Sequence, residues 1–255
     1  MHIARNQLLG VRIGTRTLSE LVAASESAIA ARSDCFTFAC ANPHSLVVAR
    51  GDAEFSEALD RASAIVADGF GCKLAATLTG VDVGPRVTGF DYFESMMASL
   101  NRISGRAFFF GSRVEVLAAI VARVARDYPN VAVETLSPPF GEWSHGENAT
   151  MLESVRRFAP DVLWVGLTAP KQEKWVAANE SALGVSVVAS IGAVFDYYAG
   201  FTHRAPRWVQ RLGLEWLYRL AREPRRLWRR TVISAPQFLW MVLRGTAPRV
   251  RPGRS

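Results

Sequence analysis

The chain has 255 residues, 49% hydrophobic and 21% charged, which excludes a disulfide miniprotein and a wholly disordered chain. It leaves room for one large α/β domain or for a domain with an appendage. Thirty Lys and Arg against 23 Asp and Glu give a net charge of +7, unevenly placed: residues 200–255 hold thirteen Arg, no Lys and two Glu, and the remainder is net acidic.

Of the thirty cations 27 are Arg, the side chain suited to bidentate contacts with phosphate or carboxylate, although a GC-rich coding sequence also favours it. Cys35, Cys40 and Cys72 form no CxxC pair. With His2, His44, His145 and His203 they give no metal-ligand spacing, so reduced thiols and no metal centre are expected. The N-terminal segment lacks the apolar core of a signal peptide, and no run reaches the ~20 apolar residues that span a bilayer. A cytoplasmic protein with at most peripheral membrane contact is the expectation.

In chain order, β-branched or aromatic runs at 35–41, 64–67, 107–110, 131–136, 162–167 and 185–191 read as strands. Helix-length stretches at 45–61, 72–78, 92–103, 113–126, 147–158 and 172–181 alternate with them. This alternation predicts an α/β fold, a Rossmann-like, mainly parallel sheet with helices on both faces, whose ligands lie at the carboxyl ends of the strands. The character changes near Gly200, so residues 1–199 are assigned to the α/β domain and 200–255 to a basic, Trp-rich helical appendage. Within it Val209, Leu212, Trp216 and Leu220 form an apolar helical stripe, with Arg207, Arg211 and Glu215 on another face. Pro224 is expected to open a second helix and Pro236 to kink or end it, with the last ten residues disordered.

Four strand ends place polar side chains before a helix. Cys40-Ala41-Asn42-Pro43-His44 breaks a strand at Asn-Pro, and Asn42 serves equally as a helix cap or a ligand contact. At 64–71, AIVADGFG delivers Asp68 to a strand end followed by Gly69 and Gly71; the carboxylate is a helix cap or a general base. This G-x-G has Leu74 where a dinucleotide fingerprint needs its third glycine. Arg86, in the turn GPRVTG at 84–89, is a surface charge or, beside a helix N-terminus, a phosphate ligand. Pro170, Lys171, Gln172 and Glu173 crowd the start of another helix, where Glu173 also complements the dipole. Asp196 reads as a cap or a substrate contact.

The ordered set DGFG, RVTGFD, GLTAPKQEKW, IGAVFDYYAG, HRAPRWVQRLGLEWLYRL and EPRRLWRR, with Asn42 upstream, resembles the WecG/TagA/CpsF family of bacterial glycosyltransferases, family 26. The likeness runs from about Thr37 to Arg230. It implies an inverting, metal-independent transfer of a hexose or N-acetylhexosamine-type sugar from a UDP donor to a polyprenyl-diphosphate-linked sugar, in cell-surface polysaccharide synthesis at the inner face of the plasma membrane.

By the same resemblance Asp68 is the catalytic base. Asn42 meets the donor sugar, and Arg86 and Gln172 meet the nucleotide. Cys40, Gly69, Pro170, Lys171 and Glu173 join the donor-side set. Arg219, Arg226 and Arg229 reach back to the diphosphate. Cys40 departs from the pattern, since many members have Thr there, which leaves one hydroxyl contact and the identity of the sugar open.

The chemistry fits the residue types. Inversion needs one base to deprotonate the acceptor hydroxyl, and the leaving diphosphate needs fixed positive charge. With no DxD in the chain, arginines and helix N-termini are expected in place of a metal cofactor. The interleaved Trp208, Trp216, Trp228 and Trp240 suit an interfacial helix. A homo-oligomer is compatible with the resemblance. Two rivals remain at this level. A nicotinamide or flavin oxidoreductase would use the partial G-x-G and Asp91; a nucleic-acid binder would use the basic tail.

Overall fold

A computed structural model describes residues 5–32, 35–203, 205–206, 209, 214–222 and 234–244. The chain opens with an antiparallel hairpin, β1 (Arg5–Leu8) and β2 (Val11–Gly14), and a first helix, α1 (Leu18–Ala31), none of which the sequence reading identified. The hairpin is short and its apolar positions alternate over only four residues a strand; α1 announces itself mainly by its capping box, Thr17 with Glu20.

There follow β3 (Phe36–Ala41), α2 (Pro43–Gly51), α3 (Ala53–Arg61), β4 (Ala64–Ala67), α4 (Phe70–Thr79), α5 (Gly89–Ile103), β5 (Arg106–Gly111), α6 (Val114–Asp127) and β6 (Ala132–Leu136). Then come α7 (His145–Phe158), β7 (Val162–Gly166), α8 (Lys171–Leu183), β8 (Val187–Ser190) and α9 (Val194–Tyr198). In the appendage α10 (Glu215–Arg222) and α11 (Ala235–Leu243) are described.

Strands β3 to β8 form one six-stranded sheet in the order β4-β3-β8-β7-β5-β6, and every pair is parallel. The expected α/β architecture is therefore present. Along β3 the alternation is visible in the side chains. Phe36 and Phe38 enter the core under α1, α5, α6 and α9; Ala39 and Ala41 enter the core under α2, α3 and α4. A third cluster joins α7 and α8 to the far half of the sheet, where Phe110 stacks on Trp175.

One expectation is corrected. The stretch 45–61 is two helices, because Asp52 ends α2 with an extended backbone and its carboxylate caps α3 at the Phe55 N–H (3.0 Å). Lys174 of α8 pins that corner with 2.8 Å contacts to Asp52 and Glu54. Pro236 stands in the first turn of α11, the position where a missing N–H costs nothing, and Ser234 before it is already in a helical conformation. Pro224 and the last ten residues lie outside the described residues.

Candidate functional site at the strand ends

The connections leaving β3 and β8 go to opposite faces of the sheet: α2 joins one core and α9 the other. Neighbouring strands that part in this way open a crevice at their carboxyl ends, the place where open parallel sheets bind ligands. Asn42 and Asp68 stand one residue beyond the ends of β3 and β4. The Asp68 N–H donates to the Ala41 carbonyl at 2.8 Å, extending the ladder so that its carboxylate emerges from a fixed backbone. Gly69 then turns at φ +88°, a conformation costly to any side chain, and α4 begins. The first turns of α2 and α4 lie side by side, since a Cβ on Gly71 would fall 2.7 Å from Cγ of Pro43.

Asn42 is committed at one end only. Its Oδ1 accepts from the Ser45 N–H (3.1 Å) and its own N–H donates to Ser45 Oγ (2.7 Å), a reciprocal cap that fixes the side chain and leaves the amide NH₂ as donor. The cap reading of Asn42 is therefore present, and the ligand-contact reading concerns the NH₂ group that the cap does not use. The Cys40 thiol accepts from the backbone N–H of Gly89 and lies within electrostatic reach of Asp68, Glu173 and Asp91. Burial pushes its pKa well up, and the nearby carboxylates add to the effect, so Cys40 is a neutral thiol at physiological pH.

Arg86 is positioned by its neighbours. Val83 and Val87 are buried on either side, and Gly84 is pressed so closely on Thr15 that a Cβ would meet the Thr15 backbone at 2.6 Å. Asp82 accepts from the Gly84 N–H (2.9 Å) to close the turn. The guanidinium emerges just before α5 and meets Glu215 of α10 at 3.2 Å, which brings the appendage over this edge of the site. Thr88 and Asp91 make the capping box of α5, Thr88 Oγ1 accepting at 3.1 Å and Asp91 Oδ2 at 3.2 Å. That cap accounts for the carboxylate on which the oxidoreductase reading depended.

On the other side of the crevice Gln172 and Glu173 are both buried. Gln172 Nε2 donates to Glu173 Oε1 at 2.8 Å. Its own Oε1 accepts no hydrogen bond among the described residues and lies beneath the turn at Gly192, 3.3 Å from where a Cβ would stand. Pro170 follows a cis peptide and precedes α8.

Lys171 is engaged within the chain. Its ammonium sits 3.7 Å over the Trp143 ring and donates to the Gly141 carbonyl, holding the loop between β6 and α7. Partial burial lowers its pKa. The structure therefore groups Cys40, Asn42, Asp68, Gly69, Gln172 and Glu173 around the β3, β4 and β8 ends, with Arg86 beside α5. Arg219 lies one turn beyond Glu215 on α10. Arg226 and Arg229 lie outside the described residues.

Sequence reasoning missed three contributors. Glu215 carried no signal beyond helical spacing, because its partner is 129 positions away. His44 Nδ1 meets Ser234 Oγ at 2.8 Å and ties α2 to the start of α11, again a contact between distant segments. Gly111-Ser112-Arg113 at the β5 end, with φ +116° and +63° at the first two, was legible as another strand followed by small residues and a helix. Among the described residues no group of three or more His, Cys, Asp or Glu is placed to hold a metal ion.

Fold and site together define an α/β protein of the doubly wound class, with a carboxylate, an amide and a guanidinium collected at the strand ends. The family model of the glycosyl transferase WecG/TagA/CpsF family matches residues 6–251, and the chain belongs to that family. Among its relatives, an N-acetylglucosaminyldiphosphoundecaprenol N-acetyl-beta-D-mannosaminyltransferase of Bacillus subtilis is 29% identical over 80% of this chain and 77% of its own length. The protein of that name from Staphylococcus aureus MW2 is 27% identical over 94% of this chain and 92% of its own.

Proposed function

We propose that this protein transfers a hexose or N-acetylhexosamine-type sugar, with inversion, from a UDP donor to a sugar carried on a polyprenyl diphosphate, in bacterial cell-surface polysaccharide synthesis. The observation that carries the reading is the Asp68 carboxylate, delivered by a strand end hydrogen-bonded to Ala41, beside the first turns of α2 and α4 and within reach of Cys40. The relatives named above act on an N-acetylglucosaminyldiphosphoundecaprenol, which supports a lipid-linked acceptor here.

In this mechanism Asp68 takes the proton of the acceptor hydroxyl as that oxygen attacks the anomeric carbon, and the bond from that carbon to the UDP oxygen breaks on the opposite face. Asn42 donates its amide N–H to the donor sugar. Arg86, beside the α5 N-terminus, and Arg219 on α10 offset the charge that develops on the departing diphosphate, so that no metal ion is required.

A lipid-linked acceptor fits a peripheral position at the membrane, which we propose to be the inner face of the plasma membrane. A face of exposed apolar side chains supports that placement: Phe70, Leu74 and Leu78 recur every fourth residue along α4, the helix that Asp68 precedes, and Leu239, Trp240 and Leu243 are exposed on α11 beside it. Lys73 and Arg244 lie on the same two segments, neither of which contains an acidic residue. No helix among the described residues is long and apolar enough to cross a membrane.

The test is an incubation with a panel of UDP-sugars and a short-chain prenyl-diphosphate-linked N-acetylglucosamine in the presence of EDTA, products weighed by mass spectrometry. One UDP-sugar is expected to be transferred, and Asp68→Asn to lower turnover by about 10²- to 10⁴-fold with UDP affinity unchanged. Undiminished turnover by Asp68→Asn removes the base assignment, and a requirement for a divalent ion removes the arginine-for-metal reading.

A further inference from the structure

We infer that Glu215 is a positioning residue for Arg86, so that seating of α10 and orientation of the guanidinium are a single event. The inference rests on the assignment of Arg86 to the donor diphosphate and goes beyond it, to a residue of the appendage that does not touch substrate. The turn carrying Arg86 is fixed between buried Val83 and Val87, with Gly84 against Thr15, but a long arginine side chain leaving a fixed turn still has several free torsions.

What holds those torsions is one contact. Arg86 Nη2 donates to Glu215 Oε2 at 3.2 Å, and this is the sole hydrogen bond of Arg86 among the described residues. The two side chains are 35% and 26% exposed, partly shielded from water by each other and by the elements they join.

The geometry divides the guanidinium's work. Arginine presents its N–H donors in a planar fork, so engaging one Nη edge with Glu215 orients the plane and leaves the other donors for two phosphate oxygens. Glu215 occupies the first turn of α10, where the helix dipole favours its charge and where the helix backbone defines its position. Ordering the arginine before the donor arrives removes that entropy loss from the binding step.

Two other roles for Glu215 make different predictions. A carboxylate serving only as an N-terminal helix charge affects stability and leaves donor binding alone. A carboxylate standing in the phosphate's place competes with the donor, and its removal tightens UDP binding.

The experiment uses the full-length protein as wild type, Glu215→Ala, Glu215→Asp, Arg86→Ala and the Arg86→Ala/Glu215→Ala double variant. UDP dissociation constants are measured by calorimetry, donor KM and kcat by turnover, and folding by thermal midpoint. Glu215→Ala is expected to raise the UDP Kd and donor KM by about tenfold, the scale of coupling between residues in contact.

Glu215→Asp keeps the helix-end charge but withdraws the carboxylate by one methylene; it is expected to raise both by threefold or more, roughly, with an unchanged midpoint. The double variant is expected to be no worse than Arg86→Ala. If Arg86→Ala weakens UDP while both Glu215 variants leave it unchanged or tighten it, the inference falls and the Arg86 assignment stands. If Arg86→Ala leaves UDP binding unchanged, the Arg86 assignment itself fails and takes the inference with it.

Discussion

Cys40 sits between carboxylates, and its titration follows from where β3 ends. The half-buried Cys40 thiol accepts from the Gly89 N–H and lies near Asp68 and Glu173; each of the last two makes a thiolate there more costly. Cys35 is pushed up to about 12, by burial first and by Glu180 second, and burial also raises Cys72, with Asp68 adding to it. The consequence for stability has a definite sign. Below the unfolded-state thiol pKa, near 8.5, both states hold the proton and these groups add no pH dependence. Above it the unfolded chain releases protons that the folded chain retains, so stability falls as pH rises toward the folded values.

Each thiol contributes a slope of up to about 1.4 kcal/mol per pH unit in that window. Thermal midpoints measured from pH 7.5 to 10.5 are therefore expected to be flat to about pH 8.5 and then to decline. Cys40→Ser should decline less steeply, and equal slopes for the two proteins would refute this account of the site. The same residue shows how far sequence carries: Asp68, Asn42 and Arg86 were each singled out from strand-end position. That Cys40 would lie within range of two carboxylates from β4 and α8 depends on the packing of strands that are distant in sequence.

At the scale of elements, β3 to β8 were readable because each is a short, largely apolar run between helix-length stretches, buried in all but the edge strand β6. All six strands were placed with ends within two residues of those observed. What was not readable depended on long-range contact. The break between α2 and α3 is made by Asp52, an unremarkable polar residue until Lys174 of α8 meets it.

The seat of α11 is of the same kind. Phe238, Met241 and Val242 are buried against α2 and α4 and join the cluster of Leu46, Cys72 and Ala75, while Leu239, Trp240 and Leu243 on the opposite side are exposed. Pro236 stands in its first turn. A helix amphipathic in this way is held by its buried side, so Phe238→Ala is expected to cost roughly 3 kcal/mol, at the lower end for a buried phenylalanine because the helix can shift to fill the gap. Chemical denaturation measures it; a loss below about 1 kcal/mol would mean that α11 is not part of the folded core.

For the whole molecule, the appendage is joined to the α/β domain by three described attachments that converge on the mouth of the site. Phe238 packs beside Gly71 in the first turn of α4, His44 in the first turn of α2 binds Ser234, and Arg86 before α5 binds Glu215. All three fall on segments that follow β3 and β4, so the appendage caps the strand ends and does not hang free. The boundary at Gly200 thus separates two compositions whose described parts are in contact.

Ending the chain at Gly200 leaves the six-stranded sheet and the large cluster under α5 and α6, which contains no residue beyond Ala199, but takes Phe238, Met241 and Val242 from the cluster under α2, α3 and α4. It uncovers the apolar surface of α2 and α4, removes Glu215 from Arg86, and takes away Leu239, Trp240 and Leu243 from the exposed face. The truncated protein is expected to keep a cooperative unfolding transition at a lower midpoint, to bind UDP more weakly, to lose sugar transfer, and to release vesicles containing anionic phospholipid that the full chain retains. Co-sedimentation with such vesicles and with neutral ones separates the electrostatic contribution of the arginines from the apolar one. Full transfer activity from residues 1–200 would show that the site is complete within the α/β domain. Vesicle binding undiminished by the truncation would place the membrane contact on the Phe70, Leu74 and Leu78 stripe of α4 alone.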